Sequence, residues 1–473
     1  MAGINWPTSS RPGFKATENA GRLINCFAEP LGEGARAPLV RRRVPGLVNV
    51  AESNMFQCRA LHAVGTTLLA AFTSKMAVVD LTTGVATSLG ALAGDERITI
   101  ATNNAASPDT VAVIDSGAVL NIFTGSTPTS FADADLPTVA TSVCFQDGYF
   151  FFSFINGTIY ASGLNAVTVD ALHFTTYQDR PGGVTRLIPF RGNLFAMGPY
   201  AIGVYQNTGN ATGFPYSFVD TIGKGLIAKF AVAGFENGWM DELLWVGDDS
   251  VVYHLQGYSP VPVSTPDVVR AIQAVDDKTE LDAFVYMNGA HAIWSISGPT
   301  FTWEFNISTG FWHERKSHGL DRWRGHCSIS FGGDWIVGAT DTGDLYRLSD
   351  ATYTEDGEPL TMEARSVPAA SFPSRISVPR ADFDFVVGYG EAEGTGVTTT
   401  DPQVSISWSD DGGTNWSTPL LKPLGGEGEF RTRISLLRTG LSGPQGRQWR
   451  VVVSDPVYCG LLGGAMAAVA REA

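Results

Sequence analysis

No stretch approaches the ~20 consecutive apolar residues of a membrane-spanning helix, and the opening MAGINWPTSSRPGF lacks the charged-then-apolar layout of a secretion signal. The expectation is synthesis in the cytoplasm with no membrane span. Cysteine is scarce: Cys26, Cys58, Cys144, Cys327 and Cys459 are odd in number, scattered, and never at CxxC spacing. They read as small buried reduced thiols rather than as a zinc ribbon or a redox pair. Positive charge is also short, with 32 Lys and Arg against 47 Asp and Glu and a formal charge of −15. Such a surface repels phosphate backbones, which disfavours nonspecific adhesion to nucleic acid without excluding proximity to it. There is no Walker loop, no GxSxG and no dinucleotide fingerprint, and long amphipathic helical patterns are rare.

What is present is turn and strand chemistry, with 53 glycines, 25 prolines and 44% hydrophobic residues in a chain of 473. One run sets the pattern. Ala283 to Lys316 holds four short aromatic and β-branched segments, separated by Asn288-Gly289, Gly298-Pro299 and Ser308-Thr309-Gly310. The alternation in His291 to Ile296 and Thr300 to Phe305 is that of strands, so the run predicts a four-stranded antiparallel meander of propeller-blade size. Similar hairpins recur at Gly148, Gly192, Asp248, Gly289 and Gly333, at spacings of 44, 56, 41 and 44 residues. A period of ~40–50 is that of propeller arrays. Two further meanders, Arg59 to Leu89 and Arg97 to Phe123, precede them. The fold class expected is all-β: a β-propeller of about seven blades with a C-terminal β-sandwich-like domain.

The expected division is residues 1–57 as an N-terminal extended arm, 58–356 as the propeller and 357–473 as the sandwich-like domain. Within the arm only Arg22 to Glu29 reads as ordered, and Arg41-Arg42-Arg43 reads as a solvated turn or a carboxylate partner rather than as a phosphate contact. Asn207 to Pro215 reads as an excursion loop, Val268 to Asp276 as a short helix, and Gly388 to Asp401 as a mobile glycine and threonine loop. The apolar tail Leu461 to Val469 reads as a final strand or a docking segment.

Few constellations point to chemistry. Ser409, Asp411, Gly413 and Trp416 match the Asp-box pattern Ser-x-Asp-x-Gly-x-x-Trp. In this hairpin corner the Asp accepts backbone N–H groups, Gly takes the left-handed position and Trp packs beneath. Sialidases carry such boxes as structural elements, and the site residues expected here are structural only. No catalytic, cofactor-binding or metal-binding residue is expected. His313, His318 and His326 read as surface or capping residues, because the gap between the first two does not set them on one strand face with a further ligand. Adjacent carboxylates such as Asp248-Asp249, Asp276-Asp277 and Asp410-Asp411 point to opposite faces in a strand and read as turn residues.

Asn25-Cys26-Phe27-Ala28-Glu29 with Val44-Pro45-Gly46-Leu47, the blade ending Phe311-Trp312-His313-Glu314-Arg315, and Trp408 to Gly413 with Arg447 to Pro456 resemble the packaged-DNA stabilisation proteins of short-tailed phages. These are tail hub or nozzle proteins. The resemblance implies a non-enzymatic virion tail protein, made in the host cytoplasm and assembled as a homohexamer below the portal-adaptor (head-to-tail connector) ring. It further implies tail fibre, spike or needle proteins as partners, and double-stranded DNA passing through the lumen without specific binding. The other readings the sequence leaves open are a sialidase-like glycan-hydrolysing propeller and a glycan-binding one.

Overall fold

The computed structural model describes residues 1–471 apart from 54, 123–126, 132, 211 and 393–396. The end of the strand expected to reach Phe123, and the centre of the Gly388 to Asp401 loop, lie outside the described residues.

Seven four-stranded antiparallel meanders surround an axis. Their innermost strands are, in order, Cys58–Val64, Thr99–Thr102, Ser142–Gln146, Arg186–Phe190, Val232–Ala233, Asp282–Asn288 and Gly325–Phe331. We number the blades 1 to 7 in this order. The stretch that set the sequence pattern is blade 6, with strands Asp282–Asn288, His291–Gly298, Phe301–Asn306 and Phe311–Glu314. Its first turn differs from expectation. Asn288 pairs with His291, so the two loop residues are Gly289 and Ala290, with glycine at φ +57° in the first position. That is the arrangement of a type II′ turn rather than of an Asn-Gly type I′ turn. In blade 3, by contrast, Asp147 and Gly148 both take positive φ, as type I′ requires.

The uneven hairpin spacing has a structural cause. In blades 3, 4, 6 and 7 the marker glycine joins the first and second strands, whereas Asp248 joins the second and third strands of blade 5. There the first connection is the long segment 234–243, which contains no tight two-residue turn. The marker therefore slipped by one strand.

Ring closure comes from the N-terminal segment. The outermost strand of blade 7 is Gly46–Ala51, antiparallel to Leu345–Ser349. The strand fits because Gly46 lies against backbone, where a Cβ would stand 2.3 Å from the Thr352 carbonyl oxygen and 2.4 Å from that of Thr354. Residues 1–57, expected as an extended arm, thus supply five strands: Ala2–Gly3, Arg22–Ile24, Cys26–Pro30, Leu39–Arg43 and Gly46–Ala51. Each is too short to show a period in the sequence. Paired edges elsewhere in the chain, rather than local propensity, hold them extended.

Thr354–Glu355 and Glu358–Pro359 extend the blade 7 sheet beyond Gly46–Ala51, and the remaining strands of the described residues form two facing sheets. One orders Cys26–Pro30, Leu39–Arg43, Gly460–Arg471, Arg375–Val386 and Ile434–Leu437, and the other Arg22–Ile24, Met362–Arg365, Gln448–Val453, Gln403–Ser409 and Leu420–Pro423. A core including Trp6, Leu23, Phe383, Ile406, Trp449 and Leu461 fills the space between them. The apolar tail is therefore a strand. The second sheet continues into blade 6, because Ile24 pairs with Glu314 in parallel. The only eight-residue helix among the described residues, Pro266–Gln273, is capped by the Thr265 hydroxyl, begins with proline, and buries Val268 and Ile272.

Candidate functional site

Three segments distant in sequence converge where sandwich and propeller meet. Asn25, at φ +53°, donates its backbone N–H to the Glu314 carbonyl at 2.8 Å. Its side-chain amide donates to the carbonyls of Lys316 and Thr361, both at 2.9 Å, and its oxygen accepts from the Lys316 N–H at 2.8 Å. One side chain thereby joins the N-terminal strands, blade 6 and the sandwich. Beside it, Arg22 Nε lies 2.8 Å from Glu314 Oε1, which also accepts from the Ser10 hydroxyl at 2.6 Å.

Deeper in, the fully buried Arg315 stacks 3.6 Å from the centre of the Trp323 ring and donates to the Pro45 carbonyl at 2.7 Å and the Tyr286 hydroxyl at 2.8 Å. Tyr286 donates to Glu304 Oε1 at 2.9 Å, and His313 Nε2 lies 2.8 Å from Oε2. Burial pushes the Glu304 carboxyl up, but Arg315 and His313 outweigh it and hold the group below its ordinary value. Such a network, out of water and partnered at all but His313 Nδ1, Arg315 Nε and Trp323 Nε1 among the polar atoms of these side chains, fixes orientation rather than adding much net stability. The short motifs around Asn25, Pro45 and Arg315, far apart in the sequence, are one site in space.

An open groove of about 670 Å³ adjoins the joint, lined in part by Phe14, Arg22, Asp267, Phe301, Trp303 and Glu314. Its two carboxylates are engaged, Glu314 by Arg22 and Ser10, Asp267 by Arg270 at 2.6 Å and the Gly13 N–H at 3.0 Å. Glycoside hydrolysis needs one carboxyl free to protonate a leaving group and a second free to attack or activate water. Neither is supplied in this groove.

The axis of the propeller carries a second charge network, which the sequence reading missed. Arg97, just before the inner strand of blade 2, reaches Asp282 at the start of blade 6, with Nη1 3.4 Å from Oδ1 and 3.1 Å from the Ala283 carbonyl. In a ring of seven, those blades are as far apart as two can be. Asp282 Oδ2 is also 2.9 Å from His326 Nε2 of blade 7, whose Nδ1 lies 3.0 Å from the Cys58 carbonyl of blade 1. Arg97, Arg186 and Lys229 surround the ring of Phe230 at 4.8, 4.9 and 5.3 Å from its centre. Burial, then the like charge of Arg97, lowers Arg186 to about 9, and burial, then Arg186, lowers Lys229 to about 8. Burial likewise raises the Glu236 carboxyl nearby. Side chains from blades 2, 4, 5, 6 and 7 therefore bridge this end of the axis. The signal was present in sequence: a charged residue stands at or just before the first strand of several blades, at Arg59, Arg97, Arg186, Lys229 and Asp282. Alignment on turns instead of strand starts concealed it.

The expected Asp-box residues lie in the sandwich, far along the chain from both networks. Asp411 Oδ1 accepts the N–H groups of Thr414 and Asn415 at 3.1 and 2.9 Å and the Ser409 hydroxyl at 2.7 Å. Gly413, at φ +94°, donates its N–H to the Ser409 oxygen at 2.8 Å, and Trp416 Nε1 donates to the Gly413 carbonyl at 3.1 Å. The histidine reading needs correction. His313 and His326 are buried partners of Glu304 and Asp282, and only His318, 55% exposed, lies at the surface. Among the described residues no group of His, Cys, Asp or Glu is placed to hold a metal. Arg41-Arg42-Arg43 is no solvated turn. Arg41 and Arg43 are buried and donate to backbone carbonyls, including those of Trp6 and Val453, while Arg42 pairs with Glu29. Alternation along a strand turned two of the three inward.

A family model described as bacteriophage P22 Gp10, beta-propeller, matches residues 43–353. That range brackets the strand Gly46–Ala51 and the last strand of blade 7. Among solved structures, the WD40 beta-propeller domain of Doa1 is 10% identical and aligns over 65% of this chain and 97% of its own, with a TM-score of 0.43. The computationally designed Ika8 protein is 12% identical over 73% of this chain and 98% of its own, with a TM-score of 0.40. No curated protein matches the sequence.

Proposed function

Because the chain belongs to the bacteriophage P22 Gp10 beta-propeller family, matched over residues 43–353, we propose that this phage structural protein builds the tail nozzle of a short-tailed virion. In this reading six copies form a ring below the portal-adaptor, extend the DNA channel, retain the packaged genome and guide its ejection. Tail fibre, spike or needle proteins attach to the ring. The propeller before residue 357 forms its body, and the sandwich, completed by the N-terminal strands, is braced on blade 6.

The observation that carries the proposal is the bridged axis. A double helix is far wider than an opening closed by Arg97, Asp282 and His326, so a channel for it has to run between copies. The acidic excess, 47 carboxylates against 32 basic side chains, supports a lumen to which DNA does not adhere, since each phosphate neutralised adds affinity. The outer strands Val169–Thr176 of blade 3 and Tyr216–Ile222 of blade 4 expose Leu172, Phe174, Phe218 and Val219. Unpaired apolar edge strands seek partners, and a closed ring needs two different complementary patches on each copy. The outer edge of blades 3 and 4 is assigned here as one of those two patches.

Electron microscopy of the purified protein, alone and with adaptor rings, tests the reading. Sixfold rings with an axial channel are expected, and Phe218→Asp with Leu172→Asp should reduce them to single copies of unchanged thermal midpoint. Single copies under both conditions for the unmodified chain would overturn the assignment.

A further inference from the structure

Two cysteines meet where the propeller closes. Cys58 begins the inner strand of blade 1 and Cys327 lies in the inner strand of blade 7, and their sulfurs are 3.7 Å apart. Both are buried and unbonded, at 0% and 3% exposure. Each stands at a break in register. Pairing shifts between Cys58 and Ala60 on one side of the seam and between Gly325 and Cys327 on the other. Such irregularities re-aim a side chain out of the regular alternation, and here two of them turn thiols toward each other. The neighbouring strand makes room. Gly338 pairs with Cys327, and a Cβ there would stand 2.5 Å from the Cys58 sulfur and 3.0 Å from that of Cys327.

We propose that Cys58 and Cys327 are an oxidation site, forming a disulfide that clasps blade 1 to blade 7. A disulfide bond is about 2.05 Å long, so each sulfur travels roughly 0.8 Å to make it. The oxidant is a low-molecular-weight disulfide, RSSR. The thiolate of one cysteine attacks RSSR, forming a mixed disulfide and releasing one RS⁻. The thiolate of the other then displaces the second RS⁻, and the two protons lost by the cysteines end on the two RSH molecules. Two cysteine sulfurs are oxidised and the two sulfurs of RSSR are reduced.

Burial raises the Cys58 thiol well above its ordinary value, whereas the hydrogen bond with Cys58 lowers that of Cys327; both sulfurs are out of water in the closed seam, and exchange with RSSR proceeds when the seam opens. Once made, the bond joins chain positions 58 and 327 and removes that opening. Closure through Gly46–Ala51 at the outer edge is non-covalent, by strand pairing and by burial of Leu47 and Ala51, and the clasp adds a covalent closure beside the axis. The inference rests on the seam and is independent of the ring and of the nozzle reading.

The test uses the full chain. It is incubated with oxidised glutathione a few degrees below its thermal midpoint, where the seam opens, then alkylated with N-ethylmaleimide and digested without reduction. Mass spectrometry should find Cys58 linked to Cys327, with Cys26, Cys144 and Cys459 alkylated. The oxidised chain should melt on the order of 5 °C higher, and dithiothreitol should reverse the rise. Alkylated Cys58 and Cys327 after this treatment, or either linked to a different cysteine, would overturn the proposal. Cys327→Ser serves as a second check: oxidised glutathione should leave its midpoint unmoved, and a rise equal to that of the parent would also refute the clasp. The comparison on the unmodified chain needs no variant to fold.

Discussion

Replacing Asp282 by asparagine tests the bridge across the propeller axis. The substitution keeps the shape of the side chain and removes the charge that Arg97 at 3.4 Å and His326 at 2.9 Å share. Had the pair been exposed, the loss would be at most about 1 kcal/mol. Here the side chains of Asp282 and Arg97 are 11% and 13% exposed, and removing one partner from a buried pair costs about 3–5 kcal/mol. Of the three cations around Phe230, Arg97 and Arg186 would then face Glu236, and Lys229 would face Glu96 and Asp115. Propeller strands run from Gly46 to Ser349. At about 2.1 cal/mol/K of unfolding entropy per residue, a loss of about 4 kcal/mol in a body of that length lowers the midpoint by about 6 °C.

Differential scanning calorimetry at neutral pH is the assay, with Asp334→Asn as the control. Asp334 lies 3.7 Å from Arg347 at 51% exposure, and its loss should move the midpoint by less than about 2 °C. Burial raises the Asp282 carboxyl, but His326 and Arg97 outweigh that and hold it below its ordinary value. A carboxylate depressed by folding contributes stability that is present above its unfolded value, near pH 4, and is lost as pH falls through the folded one. The gap between parent and variant should therefore be full at pH 6 and shrink only below about pH 4. Arg97→Met added to Asp282→Asn should recover much of the loss, because it removes the stranded charge as well. An Asp282→Asn midpoint no lower than that of Asp334→Asn would refute the reasoning.

Other perturbations probe the seam, the sandwich and the Asp box. Gly338→Ala places a methyl 2.5 Å from the Cys58 sulfur, and overpacking of about 1–3 kcal/mol should lower the calorimetric midpoint. Arg447→Lys removes a fork that binds both Asp410 oxygens, at 2.8 and 2.9 Å, and Thr439 at 2.6 Å from a fully buried position. The expected loss of about 2–4 kcal/mol should show as faster amide exchange along Gln448–Val453. Asp411→Ala strips the corner of its N–H acceptors and should cost about 1–2 kcal/mol, read as amide exchange confined to residues 409–416.

Much of the architecture was legible in one dimension because its causes are local. Aromatic and β-branched runs of strand length, cut by glycine turns, specify hairpins, and their recurrence specifies a wheel. Thus blade 6 and the helix beginning at Pro266 were located closely, and the marker in blade 5 failed only where a long connection replaced a tight turn. The acidic balance and the scarcity of thiols were equally plain. The fate of the N-terminal strands was decided elsewhere. Among the described residues Gly46–Ala51 has no strand partner within 290 residues of sequence and pairs with Leu345–Ser349, and Arg22–Ile24 is extended because Glu314 and Met362–Arg365 flank it. The axial network, the joint around Arg315 and the facing thiols of Cys58 and Cys327 likewise depend on ring closure. Hydrogen-bonded edges and buried charges find their partners by proximity in space, and only the closed fold brings chain positions so far apart within a few ångströms.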